Sequence, residues 1–160
     1  MPQEISDLSK KQLEMEVSRV ALKMKTLLHG DAVKVQHFVR VYTLAKTIGE
    51  LEKLSEEEQE NLELAAVVHN VEGEERIPAV RDILSSCGVA PETSMRVCHI
   101  IENMDNYEHI SSLDHQIFIE ARMIVEFKEQ GTSEDEIVRF AEKRFITNYG
   151  KMFLKRAFDV

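Results

Sequence analysis

The sequence has no tryptophan, and only three prolines, six glycines and two cysteines among its 160 residues. So few prolines and glycines leave little to interrupt a helix, and a collagen-like or Pro/Gly-rich chain is excluded. Cys87 and Cys98 are too few to build a disulfide framework and read as buried, reduced thiols. No run approaches the roughly 18–20 consecutive apolar residues that a spanning helix requires, so no membrane segment is expected. Met1-Pro2-Gln3-Glu4 is not followed by a basic stretch and an apolar core, so export is not expected and a cytoplasmic location is. A phosphate-binding glycine loop, a dinucleotide turn, a Cys-x-x-Cys pair and a nucleophile elbow are all missing.

Positive charge is also in deficit, with 20 Lys and Arg against 29 Asp and Glu, a net charge of −9. Nucleic acid and anionic membranes would be repelled at long range, so neither is an expected partner. The basic stretch at Lys151, Lys155 and Arg156 reads as the cationic last turn of a helix. What is present is a globular balance, 43% hydrophobic and 31% charged, over a length that suits one domain with its own core.

Helical periodicity runs through the chain. Leu8, Leu13, Val17, Val20, Ala21, Met24, Leu27 and Leu28 mark a first helix over about 5–28, stopped at His29-Gly30. Asp31 can cap a second helix with a stripe of Val33, His37, Val41, Leu44, Ala45, Ile48 and Leu51. Ser55 and Glu58 form a capping box before a third helix carrying Leu62, Ala65, Ala66 and His69. A fourth is expected over about 78–86, and a fifth starts at Pro91 with Met95, Cys98 and His99 inward. A sixth runs over about 113–129 to Gly131, a seventh follows Thr132-Ser133, and a short last helix follows Gly150. The expected fold is therefore all-α, a compact bundle of seven or eight helices with a core over about 30–158 and the N-terminal helix packed on it.

Two histidines sit on apolar stripes: His37, four residues before Val41, and His69, four after Ala65. Imidazoles on inward faces of adjacent helices can meet in a bundle interior and hold a metal; each can equally be a core histidine bonded to a backbone carbonyl. Three blocks add to this: Val35-Gln36-His37-Phe38-Val39-Arg40, then Leu64-Ala65-Ala66-Val67-Val68-His69-Asn70, then Asp114 to Arg122. Their order and spacing resemble the HD superfamily of metal-dependent phosphohydrolases, most of all its small bacterial members, over roughly residues 30–158. The resemblance implies a helix-borne His, a His-Asp pair ending the next helix, and a distant helical Asp around a divalent metal that activates water against a phosphoester.

Carried over, His37 and His69 match two ligands, while Asn70 and Arg122 stand where the family has aspartates. Asn103-Met104-Asp105 occupies the place where relatives carry extra histidines, and Gly73 replaces a common lysine. Asn for Asp removes one negative charge and Arg for Asp shifts the balance by two more. Hard divalent ions need anionic oxygens to offset dehydration, whereas two imidazoles suit a softer ion such as zinc or nickel. A guanidinium ~4 Å away would oppose even that by about 4 kcal/mol at an effective dielectric near 20, roughly three powers of ten in affinity.

A buried Arg122 requires an acceptor. Three arrangements are open: a salt bridge with Glu72, Asp105 or Glu102; an anion pocket shared by Arg122, His37, His69 and Asn70; or a metal site rebuilt from Asp105 or Glu72 with the two imidazoles. His99 could approach the same cavity or pack in the core. His109 and His115 read as surface residues, and His29 as part of a turn. The expected function is thus a degenerate, catalytically impaired HD relative that binds a small phosphate-containing or other anionic ligand or acts as a regulatory module. The alternative is an active phosphohydrolase with an altered ligand set. No cofactor is expected beyond a divalent transition metal at low occupancy on His37 and His69.

Overall fold

The computed structural model describes residues 2–160, with side chains from residue 10 onward. Eight helices follow one another: α1 (Pro2–Leu27), α2 (Ala32–Leu51), α3 (Glu56–Val68), α4 (Arg76–Ser86), α5 (Pro91–Glu102), α6 (Leu113–Gln130), α7 (Glu134–Arg144) and α8 (Asn148–Phe158). A single 3₁₀ turn, Tyr107–His109, lies between α5 and α6, and no strand occurs among the described residues. The fold class is all-α, as the periodicity predicts. The inward position expected of Leu8 lies outside the described side chains.

Local chemistry sets the helix ends. The Asp31 carboxylate accepts from the Lys34 amide at 3.0 Å, the Ser55 hydroxyl from Glu58 at 3.1 Å, and Ser133 from Glu136 at 3.3 Å. Each satisfies an amide that the first helical turn leaves without an intrahelical partner. Gly131 closes α6 at φ +62°, a left-handed conformation in which a side chain would be strained, and Thr132 then bonds back to the Phe127 carbonyl.

α3 is the central element, packed by α1, α2, α5 and α6, and every residue from Glu60 to His69 is buried. Its apolar residues face all directions, the pattern of a helix enclosed on every side. The main core joins Val41, Ala45 and Ile48 of α2 to Leu62–Val68 of α3, Val97–Ile101 of α5 and Ile117–Ala121 of α6. A smaller cluster of Ile124, Phe127, Ile137, Phe145 and Leu154 fastens α7 and α8 to the far half of α6.

Several expected positions are corrected. Val33 and Leu51, in the first and last turns of α2, are 76% and 40% exposed. Met95 is 73% exposed, since α5 buries Ser94, Val97 and Cys98 instead. His115 is fully buried at the start of α6, where His99 of α5 and Ser111 of the preceding corner lie against it. The last helix begins at Asn148, ahead of Gly150, because the Thr147 hydroxyl caps it by accepting from the Gly150 amide at 3.0 Å.

Candidate functional site: a paired-imidazole centre

α2 and α3 run side by side and bring His37 and His69 together, with Nε2 to Nε2 at 3.0 Å and ring centroids 5.0 Å apart. His69 is the residue at which α3 ends, and its Nδ1 lies 2.6 Å from the Ala66 carbonyl. A carbonyl only accepts, so Nδ1 carries the proton and the Nε2 lone pair points at His37. On the other side, His37 Nδ1 lies 2.9 Å from both carboxylate oxygens of Glu129, in the last turn of α6. That nitrogen is the donor for the same reason, and the second Nε2 lone pair faces the first. Two lone pairs at this separation need a cation between them, either a proton or a metal ion.

The geometry fits cis ligands on one ion: imidazole–metal bonds of about 2.0–2.1 Å place neighbouring nitrogens roughly 2.9–3.4 Å apart. Bonds from the far ring nitrogens to a carboxylate and a backbone carbonyl are also the usual outer support of metal-bound histidines. Burial pushes the His69 imidazole down to about 3, against the pull of the Ala66 carbonyl, with His37 and Arg122 adding to the fall. His69 therefore stays neutral near pH 7, the form that ligates.

Glu129 is the partner that sequence reasoning passes over, because 92 positions separate it from His37. One local signal exists. A carboxylate in the last turn of a helix opposes the macrodipole, and such a residue calls for a compensating partner. Arg40 stands 3.7 Å away on the outer side of the same carboxylate.

The other two positions of the expected ligand set do not complete it. Asn70 turns its amide to the Lys34 carbonyl at 3.0 Å and so ties the end of α3 to the first turn of α2. Carboxylates cannot donate this bond, so Asn is the residue the packing requires. Arg122 is 3% exposed and reaches the corner after α5, where its Nη2 donates to the Met104 carbonyl at 2.9 Å, Asp105 at 3.1 Å and the Tyr107 hydroxyl at 3.3 Å. Its guanidinium lies 5.8 Å from the Phe118 ring centre, and Phe118 in turn meets His69 edge-on at 5.6 Å. Glu126 is 3.9 Å from its Nε, which makes no hydrogen bond.

Of the acceptors considered for Arg122, Asp105 is the one it meets; Glu72 pairs instead with Lys34 at 3.5 Å on the surface. His99 is exposed and faces His115 at 6.5 Å rather than the His37–His69 pair. A metal site rebuilt from Asp105 or Glu72 is therefore not formed, and the donors of Arg122, Asn70, His37 and His69 do not converge on a shared anion pocket. Among the described residues no group of three or more His, Cys, Asp or Glu side chains is placed to hold a metal ion. The four-position set does not fit a hard hydrolytic metal.

No helix among the described residues is long and apolar enough to cross a membrane. In comparison with known proteins, no family model, no curated protein and no solved structure matches the chain.

Proposed function

We propose that this chain is a degenerate relative of the HD phosphohydrolases that keeps the helical frame and two site imidazoles and acts as a non-catalytic regulatory module. The observation that carries the reading is the His37–His69 contact at 3.0 Å with no carboxylate ligand beside it among the described residues. Two imidazoles can retain a proton or a soft ion, but the metal-dependent phosphoester hydrolysis that the resemblance implies needs a metal held firmly enough to acidify water. The guanidinium of Arg122, close behind Phe118, opposes a doubly charged ion at that place. A small anion is disfavoured at the pair itself, since Glu129 stands against His37.

A second reading, a surviving metal-dependent phosphohydrolase, is favoured by the two outer bonds that aim both Nε2 lone pairs at one point. Metal analysis of the purified protein separates the two, followed by a phosphatase and nucleotidase screen with manganese, nickel or magnesium. We expect well below one equivalent of metal and no turnover. One equivalent, with turnover that His37→Ala abolishes, would establish the hydrolase instead.

A further inference from the structure

α1 packs chiefly on α3 and more lightly on α4. It joins α2 through the turn at residues 28–31, where Gly30 takes a left-handed φ of +89°. Among its described side chains only Val17, Val20 and Met24 are buried in the core. The apolar grip of α1 on the bundle is therefore short, and what else lies in its interface with α3 matters.

Two acids meet in that interface. Glu60 of α3, only 7% exposed, has the half-buried Glu16 carboxyl of α1 as its hydrogen-bond partner. Ionised carboxylates only accept, so this contact exists only while one of the two acids carries a proton. No cation takes the proton's place. The groups acting most strongly on Glu60 are Glu16, Glu63 and Glu57, all acids. Lys46 of α2 acts instead on Tyr42, Glu63, Glu50 and Glu14, and Lys10 and Glu14 of α1 line the cleft alongside. On the other side, α5 and α6 present Arg96 and Asp114, which pair with each other at 2.7 Å and meet Asn61 rather than Glu60.

We propose that the Glu16–Glu60 contact is a proton-dependent clasp that holds α1 on α3 and lets it detach, with the other helices still folded, as the proton is withdrawn. Burial, with the Glu16 carboxyl beside it, raises the Glu60 acid to about 8 from an ordinary 4.5. With α1 detached, Glu60 faces water and loses its proton above about 4.5, whereas the docked form keeps it up to about 8. Detachment thus releases a proton across this window, grows about tenfold per pH unit, and levels off above it. Departure of α1 would uncover Val17, Val20 and Met24 together with the face of α3 beneath them. The clasp does not involve the imidazole pair and stands apart from the function proposed for it.

Hydrogen exchange of the full chain between pH 6.5 and 9, corrected for the intrinsic pH dependence of amide exchange, reads this opening. We expect amides around Val17 to Met24 to be at least about tenfold less protected than those of α6 around Ile117 to Ala121, the mark of a local opening. Their protection should fall about tenfold per pH unit up to about pH 8 and then level. Glu60→Gln, whose amide can donate to Glu16 at any pH, should flatten that fall, and Glu16→Gln should make it shallower. If Glu60→Gln fails to fold, Glu16→Gln decides. Protection in α1 equal to or above that of α6 would overturn the proposal, since α1 would then leave only when the whole fold opens. So would α1 protection that does not change with pH, or a wild-type slope in either folded variant.

Discussion

Replacing Arg122 by Met tests directly whether a guanidinium keeps metal from the imidazole pair. Arg122 lies 5.8 Å from the Phe118 centre and Phe118 5.6 Å from His69, which together bound the guanidinium to within about 11 Å of the His69 ring. At an effective dielectric near 20, one positive charge repels a divalent ion by about 3 kcal/mol at that distance, or roughly a hundredfold in affinity. Asp105 offsets part of this, but its side chain is 76% exposed and therefore screened. The expected gain for Arg122→Met is between about tenfold and a hundredfold in Zn²⁺ affinity, read by competition against a chromophoric chelator. Arg122→Lys keeps the charge and should stay near wild type. Met is close in length and can lie on Phe118, although the Met104 carbonyl then loses its donor, so a thermal melt must confirm folding. An affinity within twofold of wild type in a folded Arg122→Met protein would refute the electrostatic argument. A gain of equal size in Arg122→Lys would show that shape rather than charge is responsible.

Three further outcomes follow from particular contacts. Asn70→Asp, which places a carboxylate against the Lys34 carbonyl, should destabilise the protein by about 1–3 kcal/mol in urea denaturation, because that carboxylate has no proton to donate. Gly150→Ala should cost about 2–3 kcal/mol, since a methyl there would overlap Glu120 Oε1. That carboxylate cannot yield easily: it is fixed by the Ile146 and Thr147 amides at 2.9 and 3.1 Å and by the Gln116 amide at 2.6 Å. Stability should also fall on both sides of a mildly acidic optimum. Unfolded His69 takes up a proton near 6.5 and the folded residue only near 3, so stability is lost as the pH falls from 6.5 towards 3. Folded Glu60 keeps its proton up to about 8 and the unfolded residue releases it near 4.5, so stability present below 4.5 is lost as the pH rises through 8. Melting temperature against pH should lose its alkaline decline, but not its acidic one, in Glu60→Gln.

The helices were legible in the string of residues because their causes are local. Asp31, Ser55 and Ser133 cap the turns that follow them, and Gly131 supplies the left-handed residue that ends α6. Periodicity likewise marked Val41, Ala45, Ile48 and Leu62 as core, since a helix that buries one face repeats every three or four residues. It failed for His115 and for Glu60, Asn61 and Glu63, all buried, because helices packed on several sides bury their polar positions too. The sequence could also nominate His37 and His69, yet nothing in it could set their nitrogens 3.0 Å apart. Tertiary structure alone decided that Glu129 supports His37, that Asn70 ties two helices, and that Arg122 turns to the Met104 carbonyl rather than to the imidazoles. Those contacts join residues 18 to 92 positions apart, and direction across such distances is set by how helices cross, which no local preference encodes.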